Sequence, residues 1–322
     1  MARWTRRSAL AGGAALAVGM GFQSGLPLWA QARQRGPYLL YLSFDNIHQI
    51  DPTQPDEPVS LLPDAEGGRS IFDGIAIDLR HGHIYWSDMG VPNQRDGAIY
   101  RCNLDGTKRQ TILAPGLTHT PKQLKLDPIT RQLYWSDREG MALMRCELDG
   151  SGLETFFRTG DPVAHRGDQT RWCVGMALDP LARQIYWSQK GGDNAGQGLI
   201  CRCSMDMPDG AAPDARPDIE VLFSGLPEPI DLDLDVENRR IYWTDRGDNT
   251  VSRAPMVGGA RQILLTGIDE AIGISIDPGT DSLAYASLGG EVGIAALDGT
   301  RARLIHRHEH PLTGIAWLSQ ST

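Results

Sequence analysis

The chain lacks the features that announce most function classes. Lysine and arginine never run beyond pairs, and 31 of them stand against 40 aspartates and glutamates, giving a formal charge of −9. A basic stripe able to neutralise phosphates is missing, which argues against a nucleic-acid partner. No apolar run is long and hydrophobic enough for a convincing membrane span. No nucleophile elbow, phosphate loop or His-Glu-x-x-His helix occurs, so no motif marks an enzyme, although catalysis without such a motif stays open. Aromatic residues make up only 7% of the chain, and cysteines number five. What the chain has in plenty is turn-formers, 37 glycines and 20 prolines, on a background that is 41% hydrophobic. That combination predicts a globular protein of many short strands and turns rather than a disordered one.

Residues 1–32 read as a cleavable export signal. Arg3, Arg6 and Arg7 precede an uncharged, Gly/Ala-rich segment from Ala9 to about Met20, and Ala30-Gln31-Ala32 fits a small-x-small cleavage site. The segment Thr5-Arg6-Arg7-Ser8-Ala9-Leu10 resembles the twin-arginine signal of bacteria, an address read by a receptor and not an anchor. The expected location is therefore periplasmic or secreted, with no membrane span in the mature form. Cleavage after Ala32 removes three arginines and no acids, which takes the net charge from −9 to −12.

Residues 33–322 carry an internal repeat. Ile84-Tyr85-Trp86-Ser87-Asp88 recurs as Leu133-Tyr134-Trp135-Ser136-Asp137, Ile185-Tyr186-Trp187-Ser188-Gln189 and Ile241-Tyr242-Trp243-Thr244-Asp245. Two degenerate copies, Leu40-Tyr41-Leu42-Ser43-Phe44 and Ala284-Tyr285-Ala286-Ser287-Leu288, complete a series of tyrosines at 41, 85, 134, 186, 242 and 285. The spacings of 44, 49, 52, 56 and 43 residues leave room for four short strands per unit. Each unit supplies four β-signals in order, separated by turn dipeptides such as Asp127-Pro128 and Asp105-Gly106. Six four-stranded units around an axis make an all-β, six-bladed propeller in a single domain. The chain enters at a second-strand signal, Tyr38 to Ser43, and ends on an orphan first-strand signal, Gly314 to Leu318. Pairing of these two terminal strands in one blade would close the ring and leave no open edge.

These repeats resemble the YWTD, or class B, repeats of the low-density lipoprotein receptor, over about residues 38–318. The resemblance implies a six-bladed propeller and, as common family ligands, proteins or peptides. It does not imply catalysis.

The repeat columns separate scaffold from site. Trp86, Trp135, Trp187 and Trp243 share a column with Leu42 and Ala286, which predicts packing between sheets. The motif acids Asp88, Asp137 and Asp245 occur in units that carry Arg101, Arg145 and Arg253 on the third strand, with Gln189 and Arg202 as a polar intermediate, and Ile47 and Ile294 where the acid is missing. That co-occurrence predicts structural ion pairs. Cys102, Cys146 and Cys203 share a column with His48, Ala254 and Ala295, on blades too far apart for the Cα limit of about 7 Å in a disulfide. They are expected to fill a buried slot, and Cys173, Cys201 and Cys203 form at most a soft metal triad without a recognised zinc spacing.

Charge enters the first-strand column in only two units. Gly74, Gly175, Gly273 and Gly314 are matched by Gln123 and Asp231; two residues on, Ala76, Ala177, Ser275 and Ala316 are matched by Lys125 and Asp233. First strands line the central channel, so these charges are expected near it, as a buried ion pair or a channel site. The face bearing the blade-to-blade loops brings Asp73, His119, Lys122, Arg171, Trp172, Glu228, Glu270 and His310 around the same axis. Together with Asp231 and Asp233 they form the candidate ligand-binding set. The function read from this arrangement is an exported, monomeric binding module for a protein, peptide or small ligand, with no cofactor identified beyond a divalent cation in the alternative reading. The alternative is a metal-assisted hydrolase, lactonase or lyase. Its divalent cation, calcium or zinc, would sit in the channel mouth on Asp73, Glu228, Asp231 and Glu270.

Overall fold

Successive side chains of a strand point to opposite faces, so a strand reading Tyr-Trp offers one aromatic to each side of its sheet. Here the two sides are neighbouring blades. The computed structural model describes residues 37–62 and 70–318; the export signal predicted over 1–32 lies outside them. Blade 1 joins Leu312–Leu318 to Tyr38–Ser43, Ile47–Asp51 and Gln54–Ser60. Blade 2 is Phe72–Asp78, His83–Asp88, Gly97–Asn103 and Gln110–Thr118, and blade 3 is Pro121–Asp127, Gln132–Asp137, Ala142–Glu147 and Glu154–Arg158. Blade 4 is Cys173–Asp179, Gln184–Gln189, Gly198–Ser204 and Glu220–Leu226. Blade 5 is Pro229–Asp235, Arg240–Asp245, Thr250–Pro255 and Gln262–Thr266, and blade 6 is Ala271–Asp277, Ser282–Ser287, Glu291–Ala295 and Arg303–Arg307. Every pairing within a blade is antiparallel, and Tyr38 opposite Leu318 closes the ring as expected. The protein is an all-β, six-bladed propeller.

Six hydrophobic clusters fill the six seams. Trp187 of blade 4 packs against Leu143, Phe156 and Phe157 of blade 3, and Trp243 of blade 5 against Ile200 and Phe223 of blade 4. The adjacent tyrosines face the other way: Tyr134 and Tyr186 join the seams with the following blades. The four tryptophans are fully buried. The hydroxyl at the next motif position ties blade to blade. Ser87 donates to the Lys122 carbonyl at 2.7 Å, Ser188 to that of Ile230 at 2.6 Å and Thr244 to that of Ile272 at 2.6 Å. The first-strand glycines permit this closeness, since a Cβ on Gly175 would lie 2.1 Å from the Ile230 carbonyl and one on Gly314 2.2 Å from that of Asp73.

The degenerate units differ by one residue from their expected alignment. Ile75 pairs with Trp86 in blade 2, and the equivalent Ile315 and Ile274 pair with Tyr41 and Tyr285. Tyr41 and Tyr285 therefore occupy the tryptophan position, while Leu42 and Ala286 take the serine position. Burying the bulkiest ring in each seam outweighs matching letters, because a one-residue slip sends every side chain to the wrong face. On the third strand of blade 1, Gln49 and Ile50 join the arginine and cysteine columns in place of Ile47 and His48. All five cysteines are buried and free.

Candidate functional site

The motif acids and third-strand arginines do not pair with one another. Asp137 sits at the loop end of its strand and collects N–H groups from His119 and Thr120, both at 2.8 Å, together with the Thr118 hydroxyl at 2.6 Å. Burial pushes its carboxyl up, and these donors outweigh it and leave the pKa below the ordinary value. Asp88 caps Ile71 and Gly90 in the same way, and Asp245 caps Glu228 and Gly247. With fewer donors, Asp245 is pushed up to about 6 by burial. Arg101, Arg145 and Arg253 stand opposite the motif tyrosines instead, three residues along the ladder from the acids. Arg145 donates to the Tyr134 hydroxyl at 3.2 Å, and Arg253 to the Leu297 carbonyl at 2.8 Å.

Ion pairs between blades lie at the opposite end of the channel. Asp78 meets Arg131 at 2.6 Å, Asp127 meets Arg183 at 3.4 Å, and Asp179 meets Arg239 at 3.3 Å. Sequence reasoning passed over them, although each arginine stands three residues before a motif tyrosine and each acid closes the preceding blade's first strand.

At the mouth bearing the blade-to-blade loops, the predicted acids are held against bases. Lys122 of blade 3 pairs with Asp73 of blade 2, and both are buried; Gln123 adds a bond to Asp73 at 3.3 Å. Burial presses the Lys122 pKa downward against the pull of Asp73. Glu228 accepts from Lys190 at 2.8 Å and from the Asn194 N–H at 3.1 Å, and Arg246 bridges Glu228 and Glu270 at 3.4 and 3.3 Å. The buried ring of Trp172 lies between Arg138, 4.9 Å from its centroid, and Lys190, 5.7 Å away. Charge thus runs from blade 2 through blade 6 with its signs already matched. Lys190 and Arg246, which carry this compensation, were missing from the predicted set. Among the described residues no group of three or more His, Cys, Asp or Glu is arranged to hold a metal ion, neither the four mouth acids nor the cysteine triad.

The remaining predicted residues scatter. Arg171 turns away to Asp168 at 3.0 Å and the Thr159 carbonyl at 2.5 Å. His310 lies in a histidine corner at the seam of blades 6 and 1, where the ring centroids of His48 and His308 are 4.7 Å apart and those of His308 and His310 are 5.7 Å apart. Asp231 is buried below the mouth, accepting from the N–H groups of Leu232 at 2.8 Å and Ile274 at 3.2 Å. Burial pushes it up to about 7. Asp233 is not at this mouth: with Lys125 it lines a cavity of about 370 Å³ at the far end of the channel.

His119 opens onto a feature that the sequence did not reveal. Beside it, on the loop face between blades 2 and 3, is a cavity of about 350 Å³ whose lining includes Arg95, Arg158, Leu117 and Asp161. A smaller cleft next to it is lined by Asn93, Arg166 and Trp172. Arg95 belongs to the Met89–Gly97 insertion, one of the two longest between second and third strands, and that length was the available signal.

The fold defines a class, the six-bladed β-propellers built of four-stranded blades. Low-density lipoprotein receptor-related protein 1 of Pyricularia oryzae is 37% identical over 303 residues, 86% of this chain and 97% of its own length. The chain belongs to the low-density lipoprotein receptor class B, or YWTD, propeller family. A Cochliobolus heterostrophus protein named 3-hydroxyacyl-CoA dehydrogenase-like protein LAM1 is 34% identical over 312 residues, and the chain spans only 66% of its length. Among solved structures, a chain of a nidogen/laminin complex superposes with a TM-score of 0.71 at 20% identity, over 88% of this chain and 99% of its own. TolB from Acinetobacter baumannii gives 0.60 at 15% identity, over 88% of this chain and 67% of its own. These last two likenesses bear on fold alone. No protein-family profile matches the chain.

Proposed function

We propose that the protein is an exported binding module that grips an acidic segment of a protein or peptide on the loop face between blades 2 and 3. The observation that carries this reading is the 350 Å³ cavity flanked by Arg95, His119 and Arg158 on a chain whose net charge is −9. Among the described residues neither Arg95 nor Arg158 is in an ion pair; the Arg158 guanidinium donates only to the Thr155 hydroxyl, at 3.4 Å. Unpaired guanidiniums at the rim of a groove are poised for bidentate carboxylate recognition. A cation in the channel mouth is less well supported, because Asp73, Glu228 and Glu270 already face Lys122, Lys190 and Arg246. The signal read in residues 1–32 would deliver the module to the periplasm or the medium, which cell fractionation tests. Binding is tested by fluorescence anisotropy with Asp/Glu-bearing decapeptides and their Asn/Gln counterparts. The acidic set should bind, and R95A/R158A should weaken it about tenfold or more. Equal binding of the two sets, or none by either, would overturn the proposal.

A further inference from the structure

The far end of the channel is built differently from the mouth. Four blades place small residues at one level, Ala76, Ala177, Ser275 and Ala316, and three of these, Ala76, Ser275 and Ala316, line a cavity of about 370 Å³. Its lining sets apolar side chains, including Ile77, Leu178 and Trp317, beside a few polar ones, and its volume is within the range of small-molecule pockets. The two blades that break the pattern send Lys125 and Asp233 into it. Asp233 is engaged on both oxygens, by the Leu234 and Ile276 N–H groups at 3.0 Å each. The Ser275 hydroxyl accepts from the Trp317 N–H at 3.2 Å. The Lys125 ammonium makes no hydrogen bond and no close ion pair among the described residues, and its side chain is half-buried in the cavity wall. A half-buried ammonium whose donors meet no protein acceptor is free to donate to a ligand in the cavity.

Charge narrows the identity of that acceptor. Burial disfavours the Lys125 ammonium, but Asp233 and Asp231 outweigh it and raise its pKa, so the group stays charged. The Asp233 carboxylate in the wall would repel an anion, and the ammonium would repel a cation. We propose that this cavity is a binding site for a neutral, mainly apolar small molecule whose carbonyl oxygen accepts a hydrogen bond from Lys125 while its body lies against Ile77, Leu178 and Trp317.

Three molecules of one shape and different charge test the assignment: benzamide, benzoate and benzylammonium, titrated at millimolar concentration into the full chain by calorimetry. Benzamide should bind saturably, and the two ions about tenfold or more weaker. Lys125→Met should weaken benzamide about fivefold or more. Because that variant leaves Asp231 and Asp233 without their counter-charge, Ala316→Leu is the second test, filling the cavity without altering any charge. It should abolish benzamide binding with the melting temperature retained, and it decides alone if Lys125→Met does not fold. Absence of saturable benzamide binding by the wild type, benzoate binding as tight as benzamide, or undiminished binding by a folded variant would overturn the proposal.

Discussion

Substituting Asp231 by Asn should change how stability responds to pH, and the structure fixes the sign. The Asp231 carboxyl is buried with only two N–H donors, from Leu232 and Ile274, and burial pushes its pKa from 3.8 up to about 7 against the opposing pull of Lys125. Between those two values the folded protein holds a proton that the unfolded chain has released. The free energy of unfolding must therefore fall as pH rises through this window, by about 1.4 kcal/mol per unit for one group. From pH 5 to pH 7 the loss amounts to roughly 2–3 kcal/mol. Asn cannot titrate, and its carbonyl can still accept from Ile274, so the variant is spared the loss. Histidines whose pKa is lowered act in the opposite direction, His48 at about 4 among them, which makes the difference between variant and wild type the quantity to follow. Urea unfolding at pH 5, 6 and 7, read by tryptophan fluorescence, should show the variant gaining on the wild type throughout. A difference that is flat with pH would refute the raised pKa. A difference running the other way would mean that Lys125 holds Asp231 ionised as a salt bridge.

Trp187→Ala should cost about 3–5 kcal/mol, because the ring is fully buried in the seam between blades 3 and 4; a urea midpoint unchanged from wild type would contradict that packing. The interblade pair of Asp127 and Arg183 should show a coupling of about 0.5–1 kcal/mol in a double-mutant cycle with Asn and Met, while the same cycle on Asp137 and Arg145 should show none. Coupling at the second pair alone would restore the arrangement expected from sequence.

Most of the fold could be read from the sequence because the motif residues are the seam. Tyr and Trp alternate across the sheet, Ser or Thr binds the next blade's carbonyl, and Asp caps the loop that leads into its own blade, so each letter of the repeat has one local task. The misreadings share a cause. Aligning Tyr41 and Tyr285 with the motif tyrosines followed chemical identity, whereas the seam selects the largest ring whatever its name. Pairing Asp137 with Arg145 followed co-occurrence in the repeat, and two residues can recur together because each answers to a different neighbour, here a loop backbone and a tyrosine hydroxyl. The candidate site was less legible, since which acids are neutralised depends on Lys190 and Arg246 arriving from loops whose lengths vary from blade to blade.

Departures from a repeat mark function only when the departing group is left unmatched. Asp73, Lys122 and Glu228 depart from the apolar pattern of their neighbours, yet each is matched across a seam, so their removal would first be felt as lost stability. Asp231 and Asp233 depart from glycine and alanine, and the N–H groups of Ile274 and Ile276 absorb them. Lys125 has no such match among the described residues, and neither have Arg95 and Arg158. Two sites therefore stand apart, one on the loop face flanked by guanidiniums, suited to a carboxylate-bearing chain, and one at the far end of the channel, suited to a neutral molecule. Blades 3 and 5 supply the charges of the channel site, and blades 2 and 3 those of the loop-face one. Blade 3 serves both, through Lys125 in the one and Arg158 in the other, so a substitution that shifts this blade as a whole should weaken binding at both.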